Sequence, residues 1–178
     1  MNDAVDPAHL VEAIAERLLS RGEMLAVAES CTGGLIAKQL TDLAGSSAWF
    51  ERGVVTYSNQ AKSDLLAVPA AVLEHHGAVS EAVAMAMAGG LLMRAPVQWA
   101  LAVTGIAGPS GGTADKPVGT VWMAWARRLG EPGQAAPTRV ETVCRVFSGD
   151  RQQVREQTLR VVLEGLLQRL QAAPDAVA

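Results

Sequence analysis

The chain of 178 residues carries fifteen basic and eighteen acidic side chains, which gives a net charge of −3 at pH 7. A surface that binds nucleic acid is normally basic, so this balance argues against a nucleic-acid partner. Apolar residues make up 49% of the chain, which is typical of a globular protein and excludes disorder. At this length we expect a single domain over residues 1–172 and a frayed tail over residues 173–178.

The N-terminal residues are acidic and lack the basic-then-apolar order of a secretory signal, and no apolar run reaches the roughly 18 residues that span a bilayer. Cys31 and Cys144 lie far apart and match no zinc-ligand spacing or disulfide framework. These features predict a cytoplasmic protein without a membrane partner.

In chain order, the first half of the sequence predicts helices and strands in alternation. Helical apolar spacing, caps and β-branched runs place them as follows: helix 7–19, strand 24–28, turn 30–34, helix 35–43, strand 50–57, short helices 60–66 and 69–75, and a helix from 81 to about 93. Ser58 and Asn59 are expected to cap the helix over residues 60–66.

The second half predicts more strands than helices. Its elements are a strand over residues 99–104, a glycine-rich loop over 105–112, strands over 119–126 and 139–147 joined by a turn at 130–137, and a last helix from 150 to about 170. Strands that alternate with helices indicate an α/β fold, a three-layer α/β/α sandwich. Because no helix separates the last two strands, the sheet is expected to be mixed and mostly parallel.

The run AESCTGG at residues 28–34 joins a buried strand to a helix, so Ser30 is expected at the carboxyl edge of the sheet, where α/β proteins bind ligands. The helix end behind it would present free N–H groups near Thr32, Gly33 and Gly34, which suit either a phosphate or an oxyanion. Ser30 and Thr32 could equally be simple helix caps. Cys31 is a rival nucleophile, although a small buried residue is the favoured interpretation.

A serine nucleophile needs a base. The adjacent His75 and His76 point in different directions, and His9, in the first helix, is expected to be solvated. Lys62 falls in the first turn of a short helix, where a cation opposes the helix dipole. Such breaks of a local rule concentrate at functional sites, and partial burial would lower the pKa of this lysine toward that of a general base. A solvated surface lysine is the alternative.

Two further segments are candidate binding elements. Thr104 and Gly105 open a glycine-rich loop after an apolar strand; the loop lacks the Gly-Lys-Ser/Thr ending of a P-loop and is expected to shape a substrate pocket. Asp150 caps the last helix, and Arg151 in its first turn could hold a carboxylate or phosphate, or could simply be solvated. No metal-ligand spacing is present in the sequence.

Seven segments in this order resemble the C-terminal domain family of the competence/damage-inducible protein CinA. They are AESCTGG at 28–34, GSSAWF at 45–50, GVVTYSN at 53–59 with Lys62, HGAVSE at 76–81, TGIAGP at 104–109, KPVGTV at 116–121 and FSGDR at 147–151. The resemblance runs from about residue 18 to residue 170, and several ordered motifs are far more specific than any one of them.

This resemblance implies an amidase that hydrolyses the carboxamide of nicotinamide mononucleotide, a small nucleotide, to nicotinate mononucleotide and ammonia. It implies Ser30 as the nucleophile and Lys62 as the base, with no metal and no cofactor. Tyr57 and Thr104 match supporting positions of the site, and Arg151 matches the arginine of a family motif. A homodimer is also implied. A nucleotide-binding module without catalysis, or a serine amidase acting on another amide, remains an alternative.

Overall fold

Residues 6–130 and 136–172 are described by a computed structural model of the chain. Within them, six α-helices and five strands follow one another in this order: α1 Pro7–Arg21, β1 Leu25–Glu29, α2 Leu35–Thr41, β2 Phe50–Val55, α3 Asn59–Leu66, α4 Ala70–His76, α5 Glu81–Arg94, β3 Trp99–Gly105, β4 Thr120–Arg128, β5 Thr138–Val146 and α6 Arg151–Ala172.

The five strands form one sheet in the order β2-β1-β3-β4-β5. Strand β1 pairs in parallel with β2 and β3, whereas β4 is antiparallel to both β3 and β5. Four strands therefore run in one direction and β4 opposes them, which confirms the predicted mixed sheet. The carboxyl ends of β1, β2 and β3 meet at a single edge, and the chain leaves each of them through a loop that could contribute to a site.

Helices cover both faces of the sheet, as predicted for an α/β sandwich. On one face, which we call the large-residue face, the strands direct bulky side chains such as Leu101 and Trp125 against α1, α2 and α6. On the other, the alanine face, the same strands direct Ala100, Ala102 and Ala124 against α5 and its neighbours. The alternation of side chains along each strand explains how one sheet carries two such different surfaces.

The alanine face allows its helices to pack closely. A Cβ atom built on Gly90 of α5 would lie only 1.9 Å from the carbonyl oxygen of Leu66, the last residue of α3. Only glycine permits this approach. Helix α5 therefore fixes where α3 lies above the sheet edge.

The predicted helices and strands are confirmed with small shifts of their ends. Strand β2 stops at Val55 rather than at residue 57, because its partner β1 ends at Glu29 and the chain turns into the Ser58 cap of α3. The N–H of Thr56 makes the last hydrogen bond to β1, to the carbonyl oxygen of Glu29. Residues 131–135 of the predicted turn and the predicted tail at 173–178 lie outside the described residues. Of the helices that the structure describes, none combines the length and the apolar character that a bilayer crossing requires.

Candidate active site

Ser30 lies directly after β1, where the chain turns toward α2. Its N–H donates to the carbonyl oxygen of Val103 on β3 at 3.1 Å, so the residue still belongs to the end of the parallel ladder. Ser30 is 8% exposed. Its hydroxyl is thus held at the carboxyl edge of the sheet, the position that the sequence predicts.

Lys62, on helix α3, contacts the hydroxyl of Ser30. Helix α3 begins after Ser58, whose side chain accepts the N–H of Ala61. The Nζ atom of Lys62 lies 3.0 Å from Oγ of Ser30 and 2.8 Å from the carbonyl oxygen of Thr56. Lys62 is only 1% exposed, and burial lowers its pKa from the ordinary value. The neutral amine that a general base requires is favoured by this burial.

A cavity of about 180 Å³ opens onto this pair. Its lining comes from the carboxyl ends of β1, β2 and β3 with the loops after them, from the starts of α3 and α6, and from the segment before α5. It consists of Ser30, Cys31, Tyr57, Asn59, Lys62, Ala78, Val79, Thr104, Gly105, Ala107 and Arg151. The structure therefore brings together six of the nine predicted site residues.

Arg151 joins two loops at the mouth of the cavity. Its Nη2 donates to the hydroxyl of Tyr57 at 2.5 Å, and its Nη1 donates to the carbonyl oxygen of Gly108 at 2.9 Å. The amine of Lys62 donates to the carbonyl oxygen of Thr56 and makes no hydrogen bond to Tyr57. Tyr57, a predicted supporting residue of the site, therefore contacts Arg151 rather than Lys62.

Thr104 and Gly105 form the wall of the cavity at the end of β3. The hydroxyl of Thr104 donates to the carbonyl oxygen of Ala78 at 2.7 Å, which ties this wall to the segment before α5. The carbonyl of Val103 faces β1, whereas the N–H of Ile106 faces β4. Because backbone groups of successive strand residues point to opposite sides, the N–H of Gly105 faces past the end of β1, toward Ser30.

The N-terminal end of α2 is occupied, contrary to the prediction that it offers free N–H groups. The buried carboxylate of Glu29 accepts the N–H groups of Gly34 at 3.0 Å, Ile36 at 3.2 Å and Ala37 at 2.8 Å. The N–H of Gly33 donates to the carbonyl oxygen of Ser30. Gly33 and Gly34 therefore have no backbone donor left for a phosphate or an oxyanion, whereas the N–H of Thr32 has no acceptor among the described residues.

Thr32, Gly33 and Gly34 are the three predicted site residues that do not line the cavity. Thr32 is completely buried, and its carbonyl oxygen accepts Nε and Nη2 of Arg155. Glu29 is the residue that sequence reasoning missed. A signal was available: a charged residue that closes an otherwise apolar strand must find hydrogen-bond partners if it is buried.

Cys31 does not have the low pKa that a nucleophilic thiol at a helix end would show. Burial, with a smaller contribution from the nearby charge of Glu29, raises its pKa to about 11. The favoured interpretation of Cys31 as a small buried residue is confirmed. His9, His75 and His76 are exposed and do not line the cavity.

A larger cavity of about 530 Å³ lies at the opposite end of the sheet, where α6 ends. Arg127 and Arg169 lie 5.2 Å and 4.0 Å from the ring centres of Trp99 and Trp125. Arg169 also pairs with Glu141 at 2.9 Å. Both guanidinium groups lie over aromatic rings, and Arg169, in the last turn of α6, also offsets the negative end of that helix. In the described parts of the chain, no three His, Cys, Asp or Glu side chains are grouped to hold a metal ion.

Comparison with known proteins places this arrangement in a family. Residues 7–170 match the CinA C-terminal domain. The chain belongs to the CinA C-terminal domain family. It is 50% identical over 160 residues to nicotinamide-nucleotide amidohydrolase PncC of Escherichia coli K12, which covers 90% of this chain and 92% of that protein.

Longer and solved relatives agree with this membership of the CinA family. A CinA-like protein of Geotalea daltonii is 56% identical over 157 residues, which are 86% of this chain and 35% of that protein. The crystal structure of competence damage-inducible protein A from Klebsiella pneumoniae superposes with a TM-score of 0.85 at 39% identity. That match covers 96% of this chain and 100% of the solved chain.

Proposed function

We propose that the protein hydrolyses the carboxamide of nicotinamide mononucleotide to nicotinate mononucleotide and ammonia, with Ser30 as the nucleophile and Lys62 as the general base. The observation that carries the proposal is the 3.0 Å contact between a buried lysine amine and a serine hydroxyl inside a cavity. The name of the PncC relatives supports the choice of substrate.

In the acylation step, neutral Lys62 takes the proton of the Ser30 hydroxyl while Oγ attacks the carboxamide carbon. As the tetrahedral intermediate collapses, the proton on Lys62 passes to the leaving nitrogen, and ammonia departs. Water then attacks the ester on Ser30. Lys62 accepts the proton of the water and returns it to Oγ as the carboxylic acid is released.

The oxyanion needs donors that are not already engaged. The N–H of Cys31 has no acceptor within the described residues, and the N–H of Gly105 faces past the end of β1. Both residues line the cavity beside Ser30. We assign the oxyanion to these two backbone groups. One such donor is typically worth about 3–4 kcal/mol in the transition state.

The size of the cavity limits which part of the nucleotide can lie inside it. A volume of about 180 Å³ accommodates the pyridine ring with its carboxamide but not the ribose and phosphate. Those groups would lie at the mouth, where Arg151 and Tyr57 present a guanidinium and a hydroxyl. Arginine suits a phosphate because its planar donors match phosphate oxygens in pairs.

Ammonia release from nicotinamide mononucleotide tests the proposal directly. We expect turnover with the wild type and none with Ser30→Ala, and we expect intact-mass spectrometry of acid-quenched enzyme to detect an acyl adduct on Ser30. A panel of other amides at the same enzyme concentration distinguishes a different serine amidase. Tight binding of the nucleotide without any ammonia release would identify a binding module instead.

We also propose that the protein is a homodimer and that it acts in the cytoplasm. The dimer follows from the family resemblance and not from a surface of the described chain. Light scattering coupled to size-exclusion chromatography measures the mass in solution, and a monomer mass at micromolar concentration would contradict the dimer.

A further inference from the structure

The turn over residues 30–34, which we call the nucleophile turn, is stabilised by hydrogen bonds between its own backbone groups. The N–H of Gly33 donates to the carbonyl oxygen of Ser30 at 3.1 Å, and the N–H of Leu35 donates to that of Thr32 at 3.2 Å. Within the described residues, the N–H groups of Cys31 and Thr32 have no hydrogen-bond acceptor, and of these two residues only Cys31 lines the cavity. The N–H of Cys31 is therefore the donor of this turn that is available beside Ser30.

Glu29 holds the nucleophile turn from one end. It is completely buried, and its carboxylate accepts three N–H groups from the first turn of α2. Its carbonyl oxygen accepts the N–H of Thr56 at 2.7 Å, and the carbonyl oxygen of Thr56 accepts Nζ of Lys62 at 2.8 Å. Glu29 is therefore covalently joined to Ser30 and linked through Thr56 to Lys62, which closes a ring of contacts around the Ser30–Lys62 pair.

Arg155 holds the same turn from α6. Its Nη2 and Nε donate to the carbonyl oxygen of Thr32 at 2.7 Å and 3.2 Å. A guanidinium that donates twice to one carbonyl fixes the orientation of that peptide more firmly than a single donor would. The contact spans 123 positions of the sequence, so α6 fastens the nucleophile turn to the large-residue face.

We propose that Glu29 and Arg155 are positioning residues, which together fix the nucleophile turn so that Oγ of Ser30 meets Lys62 and the N–H of Cys31 faces the oxyanion. Neither residue lines the cavity, so neither touches the substrate. The inference rests on the proposed roles of Ser30 and Lys62. A displacement of about 1 Å in a reacting group can cost about 100-fold in rate, which sets the size of the expected effect.

Glu29→Gln is the main test because it keeps the shape of the side chain and removes one acceptor oxygen. The amide nitrogen cannot accept, so at least one N–H of α2 loses its partner. Arg155→Lys keeps the charge but loses the forked donor pair, and it carries the test if Glu29→Gln does not fold. Asp6→Ala is the matched control: Asp6 caps α1 by accepting the N–H of Ala8, and it neither lines the cavity nor bonds to the nucleophile turn.

Two readouts are measured at a temperature where circular dichroism shows every variant folded. The first is kcat and KM for nicotinamide mononucleotide. The second is the rate at which a fluorophosphonate modifies Ser30, followed by intact mass with Ser30→Ala as the blank. In that reaction Oγ forms a bond to phosphorus, fluoride leaves, and the hydroxyl proton passes to Lys62. This labelling reports the activation of Ser30 whatever the natural substrate is.

For Glu29→Gln we expect kcat and the labelling rate to fall about 10- to 100-fold, with KM within about twofold of the wild type. Arg155→Lys should lose about tenfold in the same two quantities. Asp6→Ala should lower the unfolding temperature and leave both rates unchanged. A purely structural role predicts the pattern of Asp6→Ala for all three variants, and that result would overturn the inference.

The labelling experiment separates this inference from the proposed function. If the wild type is labelled but releases no ammonia from the nucleotide, the proposed substrate is wrong, and the labelling rates of the variants still decide the roles of Glu29 and Arg155. If Glu29→Gln and Arg155→Lys are labelled as fast as the wild type, the positioning role is wrong even when the nucleotide is hydrolysed.

Discussion

The two faces of the sheet differ in the size of their side chains and in what they contribute to the site. On the large-residue face, bulky residues of β1, β3 and β4 pack against α1, α2 and α6 in the main apolar core. On the alanine face, small residues of the same strands let α5 and α3 lie close together. The nucleophile turn contacts α2 and α6, which cover the large-residue face. Lys62 belongs to α3, which packs on the alanine face.

This division implies that the alanine face determines how deeply the base is buried. Lys62 is 1% exposed because α3 is pressed onto the sheet edge, and burial is the first cause of its lowered pKa. Large side chains on the other face bury more apolar area and hold the fold together. Changes on the two faces should therefore separate activity from stability.

The largest expected effect on kcat comes from replacing either member of the Ser30–Lys62 pair, where the two faces meet. Ser30→Ala and Lys62→Met should each lower kcat by at least about 10³-fold, because the nucleophile and its base act as a unit. Methionine is close to lysine in shape and suits a buried site, so Lys62→Met should remain folded. Ammonia release from nicotinamide mononucleotide measures both.

Lys38→Met is the matched control for Lys62→Met. Lys38 lies on α2, where it is exposed and forms an ion pair with Asp42. It makes no contact with the cavity, so its replacement should leave kcat unchanged. Turnover by Lys62→Met within tenfold of the wild type would show that Lys62 is not the base.

The pH dependence of activity should follow Lys62. Below the lowered pKa of Lys62, the amine is protonated and cannot accept the Ser30 proton, so kcat/KM should rise about tenfold per pH unit and level off at a pH below 10.5. A pH profile of kcat/KM in the wild type measures this midpoint. A profile in which kcat/KM levels off only at pH 10.5 or above would contradict the lowered pKa of Lys62.

The lowered pKa of Lys62 also predicts how the free energy of unfolding changes with pH. Between the lowered pKa and 10.5, the unfolded chain binds a proton at Lys62 that the native protein does not bind. The free energy of unfolding should therefore rise with pH across this window. Urea unfolding at several pH values should detect the rise in the wild type but not in Lys62→Met.

Two neighbouring glycines of α5 test the close packing of the alanine face. Gly90→Ala would place a methyl group 1.9 Å from the backbone oxygen of Leu66, so α3 must move. We expect a loss of about 1–3 kcal/mol in the free energy of unfolding and a fall of several-fold in kcat, since α3 carries Lys62.

Gly89→Ala is the matched control, because a methyl group there meets nothing within 4 Å. Inside a helix, alanine is favoured over glycine by about 0.5–1 kcal/mol, so this variant should be more stable with kcat unchanged. Urea unfolding and kcat of both variants are the measurements. Equal effects of the two substitutions would mean that α5 does not fix the position of α3.

The order of elements and the place of Ser30 could be predicted from local patterns. Helical spacing, caps and an apolar strand before a glycine-rich turn are properties of neighbouring residues. Lys62 could also be predicted as a site residue, because a cation in the first turn of a helix is unfavourable against the helix dipole. These features require no knowledge of which distant segments meet.

The contacts of Glu29, Arg155 and Tyr57 could not be predicted in this way. The helix end at Gly34 looks free in the sequence, since the capping carboxylate precedes it by five residues and belongs to a strand. Arg155 and the partner of Tyr57 depend on where α6 packs against the sheet edge. Pairings of this kind are decided by tertiary packing, which local propensity does not encode.

The smallest expected effect on activity lies at the far end of the large-residue face. Arg169→Met removes the ion pair to Glu141 and the hydrogen bond to the carbonyl oxygen of Gly165, while methionine still packs near Trp125. We expect a loss of about 1 kcal/mol in the free energy of unfolding and no change in kcat, because this cluster lies at the opposite end of the strands from Ser30. Urea unfolding and ammonia release measure the two quantities. A fall in kcat without a loss of stability would mean that this end of the sheet also shapes the site, and the division between the two faces would have to be abandoned.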